Sequence, residues 1–253
     1  MDTDDHGLAH RLAATAGGDL LALRSRPGWP DAAALGEAGD RSSHEQLVAG
    51  LLEARPDDAV LSEHGTAGTA RGPGVRTWIV DPLDGTREFG EPDRSDWAVH
   101  VALARDDALL AGAVALPARG AVLSTAEPPR RPAAGQALRV VVSRSRPPAF
   151  ATRLAEALGA ETVPLGSAGA KIAAVVLGQA DIYVHAGGQY EWDSAAPVAV
   201  ARAAGLHTSR LDGSELAYNR ADPWLPDLVV CRRELADPVL SELARADPAD
   251  RAG

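Results

Sequence analysis

The chain has 253 residues, enough for one large domain or two small ones around a sizeable core. Its formal net charge of −10 excludes a general nucleic-acid binder, which needs a basic surface, but leaves room for a small anionic ligand held by local cations. The single cysteine, Cys231, excludes an internal disulfide. No leader pattern opens the sequence, and no apolar run approaches the ~18 residues that span a bilayer. The sequence therefore predicts a cytoplasmic protein with no membrane partner. Cys231 follows Leu228-Val229-Val230 and reads as a buried structural thiol.

In chain order, residues 4–24 carry Leu8, Leu12, Leu20, Leu21 and Leu23 among polar residues, the pattern of an amphipathic helix that Gly17-Gly18 weakens or kinks. Residues 26–39 are rich in proline and glycine and read as a loop. Asp40 then opens a second helix, with Leu47, Val48, Leu51 and Leu52 inward and Pro56 at its end. As its first residue, Asp40 reads most simply as an N-cap. Residues 59–62 form a short strand that delivers Glu63 and His64 to its end, before a glycine-rich loop at 65–74.

Residues 78–86 read Trp-Ile-Val-Asp-Pro-Leu-Asp-Gly-Thr. The β-branched run is a buried strand, which Pro82 should end because it cannot donate to a ladder. Asp81 and Asp84 then sit together at the strand mouth, beside a turn allowed by Gly85 and a helix start capped by Asp84 or Thr86. Paired carboxylates on a rigid turn can share a hard cation, and free amides at a helix start favour phosphate. A capped turn is the plainer reading of the same residues.

Residues 97–104 and 109–116 predict a hairpin, followed by a strand at 121–124. Residues 126–137 mix proline with charge and read as a linker. The predicted halves are residues 1–132, carrying helices and then strands, and 133–253, where strands and helices alternate. In the second half, strands are expected at 138–142, 161–165, 181–184 and 227–231, and helices at 149–158, 168–178, 193–205 and 234–246. Ser143 to Pro148 form a basic loop at a strand end, and Gly166 to Lys171 form a helix start of small residues suited to an anion. Asp193 stands at the next helix start, as an N-cap or as a ligand. No internal repeat and no P-loop is present. The pattern implies a layered α/β or α+β architecture.

The ordered set of Glu63, Asp81-Pro82-Leu83-Asp84-Gly85-Thr86 and Trp192-Asp193-Ser194-Ala195-Ala196 resembles the inositol monophosphatase superfamily. The resemblance runs from about residue 36 to 231. It implies a layered αβαβα sandwich of the inositol monophosphatase and fructose-bisphosphatase type, and a Mg²⁺-dependent, lithium-sensitive phosphatase using two or three ions. Leu35 to Asp40, Val142 to Pro148, Gly166 to Lys171 and His185 to Pro197 look most like the CysQ-type 3'(2'),5'-bisphosphate nucleotidases. That likeness implies removal of the 3'-phosphate of 3'-phosphoadenosine 5'-phosphate, a by-product of sulfate assimilation.

Carried over by position, Glu63, Asp81, the Leu83 carbonyl, Asp84 and Asp193 would bind metal. Asp40 and Thr86 would hold and activate water. Gly85 and Thr86 would hold the scissile phosphate, and Ser167, Lys171 and Arg146 would meet the other one. The family habit also leaves a homodimer open. Two departures stand out: His64 replaces a usual second glutamate, and Arg146 replaces a histidine. Inositol phosphates and fructose 1,6-bisphosphate are the competing substrates, and Lys171, Arg146 and Gln189-Tyr190-Glu191 tilt the balance toward a nucleotide. A non-catalytic nucleotide or Mg²⁺ sensor, damaged at His64, is the competing class.

Overall fold

The computed structural model describes residues 4–130, 132, 135 and 137–245. Helix α1 (Asp5–Arg24) is capped by Asp4, and helix α2 (Ala32–Ala54) by Asp31. A six-stranded sheet follows, from β1 (Ala59–Ser62), β2 (Gly65–Gly68), β3 (Arg76–Asp84), β4 (Ala98–Arg105), β5 (Ala108–Leu116) and β6 (Ala121–Ser124), in the order β2-β1-β3-β4-β5-β6. Helix α3 (Thr86–Gly90) is a short insertion between β3 and β4.

The second sheet has the order β10-β11-β9-β7-β8. Its strands are β7 (Arg139–Ser143), β8 (Glu161–Leu165), β9 (Ile182–Tyr190), β10 (His207–Ser209) and β11 (Trp224–Cys231). Helices α4 (Ala149–Ala157), α5 (Ala168–Val176), α6 (Glu191–Ala203) and α7 (Ala236–Arg245) complete the chain.

Alternation along the strands explains the layers. Trp78, Val80, Val99, Val101 and Leu103 face α1 and α2 in one apolar cluster. Ile79, Ala98, Ala102 and Ala104 face the other way, into a cluster shared with α5, α6 and the second sheet. Helices α4 and α7 cover the far side through Phe150, Leu154, Val239 and Leu243. The result is the expected αβαβα sandwich. Its centre is lined by small residues because α6 lies very close to β5: a Cβ on Gly112 would meet the Ala199 methyl at 2.7 Å.

Several expectations change. Helix α1 runs unbroken through Gly17-Gly18, since Gly17 gives room to Pro117 and Ala115. The expected loop at 26–39 is largely helix, so Asp40 is a mid-helix residue and not an N-cap. Its glycines serve packing: Gly36 and Gly39 lie against Thr86 and Phe89. Strand β3 passes Pro82 and reaches Asp84, because a bulge between Asp81 and Asp84 releases the proline from the ladder. The loop at 65–74 begins with strand β2, paired antiparallel to β1. Helix α6 starts at Glu191, which makes Asp193 its third residue. Strand β10 was not foreseen, and β9 and β11 are longer than expected. Of the expected linker, residues 131, 133, 134 and 136 lie outside the described residues, as does position 246 of the last expected helix.

Candidate metal and phosphate site

Parallel pairing of β1 with β3 sets Ser62 beside Val80, so Glu63, just past the end of β1, and Asp81, the next residue of β3, come out at the same end of the strand pair. The bulge after Asp81 turns the chain so that Asp81, Leu83 and Asp84 cluster. The Leu83 amide donates to Asp81 Oδ1 at 3.1 Å, and Thr86 Oγ1 donates to the Leu83 carbonyl at 3.1 Å. Gly85 takes a left-handed conformation at φ 87° and fits against Ser167, where a Cβ would come within 2.9 Å.

Asp84 is held from the far side. The Ala168 and Gly169 amides, at the start of α5, donate to its two oxygens at 3.2 and 2.5 Å. This helix start thus holds the protein's own carboxylate. His100 stands opposite Asp81 on β4, completely buried, with Nε2 3.2 Å from Asp84 Oδ2 and Nδ1 3.0 Å from the Trp192 carbonyl. The ring therefore joins Asp84 to the residue just before Asp193. Asp193 closes a capping box by accepting from the Tyr190 amide at 2.7 Å. Oxygens of Asp81, Asp84 and Asp193 lie within 4.8 Å of one another.

The second group is Asp40, Glu63 and His64, whose ligand atoms also lie within 4.8 Å of one another. Helix α2 brings Asp40 here because Gly36, one turn earlier, lets it approach Thr86, and Ser43 Oγ donates to the Pro82 carbonyl at 2.7 Å. His64 Nε2 lies 2.9 Å from Asp40 Oδ2 and 3.9 Å from Glu63 Oε1. Its ring meets His44 edge to face at 4.7 Å.

The charges of this edge oppose each other. Burial, then the charges of Asp84, Glu63 and Asp193, push the Asp81 carboxyl well above its ordinary range. Burial, then the charge of and hydrogen bond to Asp40, push Glu63 up to about 8. Burial and the charge of Asp84 push Asp193 up to about 6. Asp84 goes the other way: burial raises it, but His100, the Gly169 amide and Lys171 outweigh burial and keep it ionised.

These residues fit a cation. Neither Asp81 nor Asp193 forms an ion pair with Lys or Arg among the described residues. Asp40 Oδ1 is buried without a hydrogen-bond partner among them. Oxygen donors suit a hard divalent ion, and the imidazole of His64 adds a nitrogen.

A cavity of about 470 Å³ opens beside Asp84, Gly85 and Asp193 and is also lined by Ser167, Lys171 and Gln189. Ser167 caps α5 by accepting from the Ala170 amide at 3.0 Å. Lys171 is 6% exposed, donates to the Gly166 carbonyl at 2.5 Å and lies 5.6 Å from the Tyr183 ring. Burial pulls its pKa below the ordinary lysine value, against the charges of Asp84, Glu88, Asp96 and Asp193. Arg146 is exposed on the loop after β7 and does not line this cavity, whereas Ser143 and Pro148 on either side of it do.

The inositol monophosphatase family model matches residues 30–245. The chain belongs to the inositol monophosphatase family. As in that family of metal-dependent enzymes, acidic groups gather where a metal can bind. The chain is 50% identical over 243 residues to the 3'-phosphoadenosine 5'-phosphate phosphatase of Mycobacterium tuberculosis, covering 91% of this chain and 90% of that one. It is 34% identical over 208 residues to the 3'(2'),5'-bisphosphate nucleotidase CysQ of Escherichia coli, covering 74% and 81%. Among solved structures, CysQ from Bacteroides thetaiotaomicron superimposes with a TM-score of 0.72 at 26% identity, covering 89% of this chain and 96% of that one. Inositol monophosphatase II from Staphylococcus aureus shares the fold, with a TM-score of 0.77 at 19% identity over 94% and 95%.

The family motifs carried Asp40, Glu63, Asp81, Asp84 and Asp193, and the structure brings all five to one edge. His100 was missed, although a lone histidine in the apolar strand Ala98–Ala104 was a visible signal. Ser43 and Asp96 were missed too. Asp96 accepts from the Gly166 amide at 2.6 Å and steadies the loop before α5.

Proposed function

We propose that this inositol monophosphatase family member hydrolyses the 3'-phosphate of 3'-phosphoadenosine 5'-phosphate to AMP and phosphate, with Mg²⁺ as its cofactor. The observation that carries the reading is the meeting of the Asp81, Asp84 and Asp193 oxygens at one end of a cavity whose wall also holds Lys171 and Ser167. The 50% identity to relatives named for this activity supports the nucleotide as substrate.

In this reading Glu63, Asp81, the Leu83 carbonyl, Asp84 and Asp193 would hold two or three Mg²⁺ ions. Mg²⁺, when bound, supplies Lewis-acid polarisation of the phosphate and lowers the pKa of water. Thr86 and Asp40 flank the attacking water. Asp40 takes its proton, and the Thr86 hydroxyl, anchored on the Leu83 carbonyl, fixes its direction. The backbone of Gly85 and Thr86 holds the scissile phosphate. The oxygen of water attacks phosphorus, the bond to the 3'-oxygen breaks, that oxygen takes a proton from solvent water to become the 3'-hydroxyl of AMP, and no phosphoenzyme forms. Ser167 and Lys171 receive the second phosphate, and Arg146, outside the cavity wall on the flanking loop, contributes only longer-range positive charge. The same reading keeps the protein in the cytoplasm, acting on a small nucleotide and not on nucleic acid or membrane.

Replacing Asp84 by Asn tests the assignment. It should lower phosphate release by on the order of a hundredfold or more while circular dichroism stays native. Full activity in this variant would remove Asp84 from the metal set.

A further inference from the structure

Part of the cavity wall, beside Asp193, is aromatic. Tyr190 ends β9 and Trp224 begins β11, and the two residues are direct partners across the strand pair. Their rings lie 5.4 Å apart, nearly perpendicular at 78°. Trp192, two positions on, stacks on Tyr190 at 4.7 Å and 11°. Yet Tyr190 is 43% exposed and Trp224 47% exposed. Two large rings side by side at a polar cavity are unlike the isolated surface leucines Leu21 and Leu110.

The arrangement is built. Gly187 and Gly188 both have positive φ, at 93° and 83°. A Cβ on Gly188 would overlap the Trp224 ring, so glycine is required for the ring to lie on this loop. The loop is pinned by a hydrogen bond of 3.1 Å between His185 Nε2 and the Gly188 carbonyl. Between the loop and the rings sits Gln189, 8% exposed and lining the same cavity. Its side-chain nitrogen is buried with no hydrogen-bond partner among the described residues. A buried donor without an acceptor is costly unless a ligand supplies one.

A flat apolar platform next to an unpaired amide donor is the chemistry of nucleobase recognition: stacking on the ring face and a hydrogen bond to a ring nitrogen. An inositol or a furanose bisphosphate offers no π-face to such a platform. We propose that Trp224, braced by Tyr190 and Trp192, is the stacking platform for the purine base, with Gln189 donating to the base edge, and that this wall makes the enzyme select a nucleotide over a base-free sugar phosphate. The inference rests on the nucleotide reading above and adds residues to it.

The test compares Trp224→Ala, Trp224→Phe and Gln189→Leu with the parent protein. Turnover is measured on 3'-phosphoadenosine 5'-phosphate and on ribose 3,5-bisphosphate, which keeps both phosphates and lacks the base. Trp224→Ala should lower the ratio of kcat/KM between the two substrates by at least about fivefold, through KM, and Trp224→Phe should restore most of it. Gln189→Leu should lower the same ratio. An equal loss on both substrates, which a structural role would give, or no loss on either, would overturn the proposal. A separate arm follows binding of AMP by titration calorimetry, which depends neither on turnover nor on a tryptophan reporter. Loss of AMP binding in Trp224→Ala supports the wall even where the parent releases no phosphate from the nucleotide, an outcome that would count against the proposed function alone. Equal AMP affinity in the parent and Trp224→Ala, or no AMP binding by either, would overturn the wall.

Discussion

Asp81 carries the strongest conflict of any residue here. It is 3% exposed, accepts one backbone hydrogen bond and faces three other acids. A buried carboxyl in that position resists ionisation until a cation arrives. Asp81→Asn should therefore raise the Tm of the metal-free protein at pH 8 by a few degrees, at about 2–4 °C per kcal/mol, while turnover falls on the order of a hundredfold or more. A calorimetric scan with a phosphate-release assay reads both, and a lower Tm would contradict this account of the residue. His64 allows a second prediction. It gives the outer acids a nitrogen that Mg²⁺ uses poorly and Mn²⁺ or Zn²⁺ uses well. His64→Glu should tighten Mg²⁺ relative to Mn²⁺ by about tenfold, read by titration calorimetry. An unchanged ratio would show that His64 does not face the ion. Asp81, Asp84 and Asp193 were legible in the sequence through the family motifs they stand in; their turn residues alone left a capped turn or an N-cap as the plainer reading. The partners of His100 and Trp224 were not legible, because each lies far along the chain: His100 meets Trp192, and Trp224 meets Gly188.

At the scale of elements, the site depends on how near α2 and α5 come to the turn after β3. Both approaches use glycine. A Cβ at Gly36 would meet the Thr86 methyl at 2.7 Å, and one at Gly169 would come within 2.8 Å of Asp84 Oδ2. Gly36→Ala improves helix propensity yet displaces Thr86 or the helix. It should lower kcat by about tenfold to a hundredfold with little change in thermal stability, because small misplacements of a positioned group weigh heavily on rate. Unaltered kcat would show that Thr86 does not need this contact. The same glycines misled the sequence reading. Residues 26–39 look like loop by composition, but Gly36 and Gly39 are helix residues selected for close packing, and Asp31 supplies the cap that Asp40 was expected to provide. Strand β3 was misjudged at Pro82 for a related reason: a bulge can absorb a proline that a regular ladder cannot. The layered α/β or α+β class was readable from the order of strands and helices, and the αβαβα sandwich from the family resemblance.

For the whole molecule, the acids at the site make stability depend on pH and on metal. Glu63 is raised from about 4.5 to about 8, and Asp81 is raised as well. Across that window the folded state holds protons that the unfolded state has released, so metal-free stability falls as pH rises. Asp84 has the opposite sign: its lowered pKa adds stability that is lost only in acid. The lowered histidines, His44, His185 and His207, lose stability as pH falls below their ordinary range, which leaves pH 6.5 to 8 as the cleanest interval for the Glu63 and Asp81 effect. Metal-free protein should show a falling Tm across this interval. Saturating Mg²⁺ should raise the Tm and remove the slope, because an ion that binds only the folded state stabilises it and favours ionised ligands. A Tm that rises with pH without metal would contradict the charge balance described here.

The central claim is that this arrangement of acids, with Lys171 and aromatic rings in the cavity wall, serves a nucleotide. It is tested most directly by phosphate release from the purified protein with Mg²⁺, comparing 3'-phosphoadenosine 5'-phosphate, inositol 1-phosphate and fructose 1,6-bisphosphate, each with and without lithium. The account predicts a clear preference for the nucleotide that lithium suppresses. Turnover of either sugar phosphate above that of the nucleotide, or no release from any of the three, would contradict it.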